Sequence, residues 1–144
     1  MSNQTVLKPH WSFWVVCILG LIWNVGGSAN YLMQTSMEFV SSMPESHQAI
    51  IIDRPAWATA GFAFGVFGGA LGCLLLLLRR PISVVVLCIS FAGIVVTMLH
   101  TANVAKSGVN FSIPEIVVMM TLPLVVALAL LLYANSVMGK YRKV

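Results

Sequence analysis

AWATAGFAFGVFGGALGCLLLLLRRPISVVVLCISFAGIVVTMLHTANVA, residues 56–105, holds two long apolar runs separated only by Arg79-Arg80-Pro81. A helix rises ~1.5 Å per residue, so about 20 apolar residues cross a hydrocarbon core of about 30 Å. Ala56–Leu78 and Ile82–Ala105 both reach that length, and the break between them is so short that the two helices must be antiparallel neighbours. Ser12–Gln34 and Ile113–Asn135 are runs of the same kind on either side. The expected fold class is all-α: a polytopic membrane protein with four transmembrane helices, about 12–34, 56–78, 82–105 and 113–135. They would form one antiparallel, left-handed bundle over residues 1–144.

A chain that is 59% hydrophobic and 8% charged has little polar surface with which to solvate a soluble globule. Four spans in 144 residues leave short tails and loops, with no room for a soluble catalytic domain. The net charge of +4 reads as a topology signal and not as a nucleic-acid footprint. Lys8, Arg79, Arg80, Lys140, Arg142 and Lys143 fall on one side, whereas Arg54 and Lys106 share the other with Glu38, Glu45, Asp53 and Glu115. The positive-inside rule then places both termini in the cytoplasm of a multi-pass protein, expected in a bacterial inner membrane. Lys8, an apolar stretch and Gly26-Gly27-Ser28-Ala29 have some likeness to a cleaved secretory signal, but cleavage there would leave an odd number of spans and spoil the charge asymmetry. The segment is read as a retained span.

Local signals add detail. Ser42-Met43-Pro44-Glu45 predicts a short outer helix between the first two spans, with Ser42 capping the amide of Glu45 and Arg54-Pro55 ending it. Ser112, Pro114 and Glu115 mark the start of the fourth span. Gly61, Gly65, Gly68 and Gly72 recur every three or four residues along the second span and predict close helix packing, within the bundle or between copies. Cys17, Cys73 and Cys88 lack C-x-x-C spacing and read as small apolar packing residues.

Polar residues are concentrated toward the outer end. Asn24 lies about twelve residues, or ~18 Å, into the first span, followed outward by Tyr31 and Gln34, while the third span carries Thr97 and His100. Together Asn24, Tyr31, Gln34, Thr97 and His100 would form a polar vestibule suited to an uncharged polar solute, because no buried charge is expected there. An intramembrane histidine or amide is a functional candidate, yet both also serve as interhelical hydrogen-bonding groups. No metal is expected: the outer methionines lack M-x-x-M, and no H-x-x-x-H or cysteine ligand joins them. No cofactor is expected either, since His10 and His100 fall on opposite sides and cannot share a haem. A nucleophile with an adjacent base, paired buried carboxylates and a phosphate loop are all missing, so an enzyme is not expected.

The segments Trp23-Asn24-Val-Gly-Gly-Ser-Ala-Asn-Tyr31-Leu-Met33-Gln34-Thr35 and Pro55-Ala56-Trp57-Ala-Thr59-Ala-Gly61-Phe-Ala63-Phe-Gly65-Val-Phe-Gly68-Gly69, with the Leu-rich run ending at Arg79-Arg80, resemble a group of small bacterial four-span proteins often labelled sugar transporters. The resemblance covers nearly the whole chain. It implies the four-span fold but carries no residue roles, and Thr97 stands where the group tends to have glutamine. Two functions follow as expectations. The favoured one is an accessory or structural bundle that associates with itself or with a larger membrane complex through an exposed glycine face. The alternative is a transporter or binder of a small polar solute, acting as an oligomer. The expected partners are the lipid bilayer and such an assembly, with no nucleic acid.

Overall fold

His10 opens α1 (Trp11–Met33): its Nδ1 accepts the Ser12 amide at 3.3 Å, satisfying one of the donors that a helix start leaves free. The computed structural model describes residues 8–142, so Lys143 lies outside the described residues. Two short helices follow, α2 (Met37–Ser41) and α3 (Glu45–Ile51). Next come α4 (Ala56–Leu77) and α5 (Ser83–Lys106), and then α6 (Ile113–Ile116) runs through a π-helical turn, Val117–Thr121, into α7 (Leu122–Arg142). The described residues contain no strand, and four helices are long and apolar enough to cross a membrane, as the hydropathy of the sequence leads one to expect.

Local chemistry explains most boundaries and corrects two expectations. Ser112 accepts the Glu115 amide while the Glu115 carboxylate accepts the Ser112 amide at 2.7 Å, a reciprocal cap on α6. Ser42, by contrast, does not cap α3. Its hydroxyl donates to the Phe39 carbonyl at 2.6 Å and closes α2, a helix absent from the sequence reading, leaving Pro44 as an N-cap with no side-chain bond. The last span also runs further than Asn135 and is interrupted. Pro123 has no amide for the Met119 carbonyl and its ring crowds that turn, so the backbone widens ahead of it and the Leu122 amide bonds the Val117 carbonyl instead.

The turn after α4 is sharp. Arg79 adopts φ 55°, and the Arg79 and Arg80 amides bond the Leu76 and Leu75 carbonyls at 2.9 Å each. These paired bonds form a Schellman closure, with an arginine in the left-handed position that glycine usually fills.

The helices pack in the order α1, α4, α5, α7. Gly61, Gly65, Gly68 and Gly72 all face α5. A Cβ at Gly65 would stand 2.6 Å from Ile94, and one at Gly93 would stand 2.5 Å from the Gly61 carbonyl oxygen. Ser90 adds a bond from its hydroxyl to the Gly65 carbonyl at 2.6 Å. On the other flank of α4, Gly69 lies against the Asn24 amide and Val66 against Gly27. The apolar core sits at the end that carries both termini, where Phe13, Cys17, Cys73, Leu76, Leu87, Leu130, Ala134 and Met138 are buried together. α7 therefore docks through Leu130, Ala134 and Met138, one residue per turn of its C-terminal half. Before Leu130 the fourth span buries no residue.

Candidate functional site

Because α7 joins the bundle only near the termini, α1 and α7 diverge toward the opposite end and leave a cleft floored by α4 and α5. Its deeper chamber, about 500 Å³, lies between Trp23, Asn24 and Gly26 of α1 and Pro123, Val126 and Ala127 of α7. Leu87 and Leu130, both core residues, close its bottom. A second chamber of about 360 Å³ continues toward the α3 end and shares Asn30, Phe62, Ile94 and Pro123 with the first. The lining of α1 runs from Ile22 to Gln34, so the joined cleft extends roughly 18 Å along the helix axis. Both walls are mostly apolar; the deeper one adds Asn24, Asn30 and Ser90, and the upper one gathers Gln34, His47, Arg54, Thr97 and Thr101.

Asn24 donates through Nδ2 to the Gly20 carbonyl at 2.8 Å and to Cys73 Sγ at 3.8 Å. Its Oδ1, packed on Gly69, accepts no hydrogen bond among the described residues and borders the chamber. The amide is thus held by its donors and keeps an acceptor for a guest. Thr97 lines the upper chamber, with its hydroxyl proton committed to the Gly93 carbonyl at 2.9 Å and its oxygen lone pairs left over. Gln34 lines the same chamber, but its Oε1 accepts from Arg54 Nη1 at 2.9 Å.

Tyr31 and His100 stand outside both chambers. The Tyr31 ring meets Phe62 and Phe67 edge-on, with centroids 5.6 Å away in each case, and so packs against α4. His100 is buried and donates through Nε2 to the Ile50 carbonyl at 3.0 Å, with Trp57 edge-on at 5.9 Å. That carbonyl belongs to the last turn of α3, where no helical donor is available. His100 is therefore a tether for α3. Ser46 makes a second tether, donating to Glu115 Oε1 at 2.6 Å, with His47 Nδ1 at 3.9 Å from the same oxygen. Between them they hold α3 across the mouth of the upper chamber.

Arg54, expected only as an outer-side charge and part of the stop of the outer helix, belongs to the chamber wall. It is half-buried in the upper chamber wall, with Nε donating to Thr59 Oγ1 at 3.3 Å, Nη1 to Gln34, and its guanidinium carbon 5.3 Å from the centre of the Phe62 ring. Burial lowers its pKa from the ordinary range, yet an arginine stays protonated at any physiological pH. Among the described residues, the one basic side chain within 4.0 Å of a carboxylate is His47, beside Glu115. Arg54 thus has no carboxylate partner, and the expectation of a vestibule without charge is corrected. The signal for it lay in Arg54-Pro55, which fixes a cation two residues before the apolar start of α4, with Phe62 about two turns further along.

No protein-family model, curated protein or solved structure matches the chain. Among the described residues no group of three or more His, Cys, Asp or Glu could hold a metal ion.

Proposed function

We propose that the protein is a small multi-pass membrane protein that binds a small molecule in the cleft between α1 and α7. The observation that carries this is the cleft itself: two joined, mostly apolar chambers, a few convergent polar groups with Arg54 in the upper one, and a tethered helix across the mouth. Such a combination, an apolar wall with few convergent polar groups, is the usual form of a ligand site. The accessory reading needs an exposed glycine face, and the glycines of α4 are occupied inside the bundle by α5 and α1. That occupation supports binding over docking. The charge bias supports cytoplasmic termini, which would make the α3 end periplasmic in a bacterial inner membrane.

The test uses protein in phosphatidylcholine nanodiscs and the uncharged polarity-sensitive dye Nile red. A saturable fluorescence component is expected, and Gly26→Trp should remove it, because open space beyond Gly26 lets the indole fill the chamber without disturbing the packing. The melting temperature should hardly change. Identical titrations for the two proteins would overturn the reading, and disulfide trapping of two copies through cysteines at Gly26 and Ala127 would reassign the cleft as an interface.

A further inference from the structure

Both chambers are mostly apolar, but only the upper one carries an arginine, and that asymmetry defines a shape of ligand. At the upper end, Arg54 gives one N–H to Thr59 and one to Gln34, so the Nη2 pair and the second Nη1 hydrogen have no protein acceptor among the described residues. The acid fixed at that end by tethers, Glu115, is saturated elsewhere: Oε1 accepts from Ser46, and Oε2 accepts the Ser112 amide and hydroxyl. A half-buried guanidinium with spare donors in a forked geometry matches a carboxylate or phosphate group, and partial desolvation strengthens that attraction relative to bulk water. Below it, the wall continues through the aliphatic side chains of Ile94, Val126, Ala127 and Leu130. A compact hydrophilic anion would leave this depth empty. A wholly apolar molecule would leave Arg54 without a counter-charge.

Resting on the cleft-binding reading above, we propose that the ligand is an amphiphilic anion, with its acidic head on Arg54 and a single apolar chain lying down the cleft toward Leu87 and Leu130. The lateral gap between α1 and α7 lets such a chain enter from the bilayer without lifting α3. Asn24 Oδ1 then borders the chain part of the site, where a hydroxyl or amide on the chain would find an acceptor. The same chemistry is available from a free fatty acid and from an acidic phospholipid whose second chain stays in the lipid.

Tryptophan quenching separates these outcomes, because Trp23 lines the deeper chamber. With Trp11, Trp14 and Trp57 changed to Phe, the protein is reconstituted in phosphatidylcholine nanodiscs and titrated with ω-bromoundecanoate, ω-bromoundecanol and ω-bromoundecylamine. The carboxylate should quench Trp23 saturably, at least about tenfold more tightly than the alcohol or the amine, as expected for a charge-assisted bond. Arg54→Gln should erase that preference, and Arg54→Lys should keep part of it. Release of quenching by excess laurate assigns a free acid as an effective occupant, and release by phosphatidylglycerol assigns a phospholipid; either supports the proposal. If the alcohol saturates as tightly as the carboxylate, the cleft binds but the anionic head is wrong. If no probe saturates and Nile red does not either, both readings fail. A folded Arg54→Gln protein, judged by an unchanged melting temperature, that retains the full preference for the carboxylate also overturns the role of Arg54.

Discussion

Two pairs of neighbouring helices solve the same problem in opposite ways. α4 and α5 approach until backbone meets backbone, with Gly93 against the Gly61 carbonyl and Ser90 bonded to Gly65. α1 and α7 touch only near the termini and separate into a cleft lined by Trp23, Asn24, Val126 and Ala127. Lipid offers no hydrophobic drive for helix association, so close dispersion contact and interhelical hydrogen bonds must hold a bundle together. The molecule concentrates both in one hairpin. It can then leave the other pair apart, and that separation opens the cleft.

Making the tight pair loose should have the largest effect. Gly93→Leu would drive a side chain into the α4 backbone, where nothing flexible can yield, and should cost about 3 kcal/mol, read as a lower melting temperature in detergent. Gly26→Leu, which adds the same side chain where there is open space, should stay within about 0.5 kcal/mol. Equal losses in the two variants would erase the contrast between the helix pairs.

The next effect concerns the helix across the cleft mouth. His100→Leu leaves the Ile50 carbonyl without its donor, which should ease local opening of α3 by about 1–2 kcal/mol and speed hydrogen exchange of its amides roughly tenfold. Unchanged exchange in α3 would show that Ser46 and Glu115 suffice. A smaller effect is expected for Asn24→Leu. The Gly20 carbonyl keeps its helical partner, so stability should change by less than about 1.5 kcal/mol in either direction, measured by thermal unfolding. Binding in the cleft should nevertheless change, since the polar acceptor at its border is gone. Smallest of all, Arg79→Gly should stabilise the hairpin by about 0.5–1 kcal/mol by relieving the left-handed backbone, again read by melting.

The spans were legible because membrane thickness translates directly into a count of apolar residues, and their starts at Ala56 and Ile113 follow proline and capping rules that act within a few residues. The cleft was legible only in part. Asn24, Gln34 and Thr97 border it, but Tyr31 and His100, interleaved with them along the same helices, turn to other neighbours. Helical spacing assigns a residue to a face and leaves open which neighbour that face meets. Pro123 was visible throughout, yet its widened turn lies in the last span, where hydropathy registers only length. Arg54 was visible as well. What sets it apart is the lack of a carboxylate within 4.0 Å among the described residues, and such an absence becomes apparent only when the chain is folded.

The closure at Arg79 and Arg80 bears on how the protein is made. With so short a connection, the contacts between α4 and α5 are local in the chain, and local contacts form early because little chain entropy must be lost to close them. The hairpin can assemble as soon as α5 enters the bilayer, before the final span has been synthesised. α1, already in the membrane, then has a finished surface on which to dock, and α7 arrives last and needs only Leu130, Ala134 and Met138 to find their places. The last span to be made is thus also the last to pack, and the least anchored helix is the one with least time to misassemble.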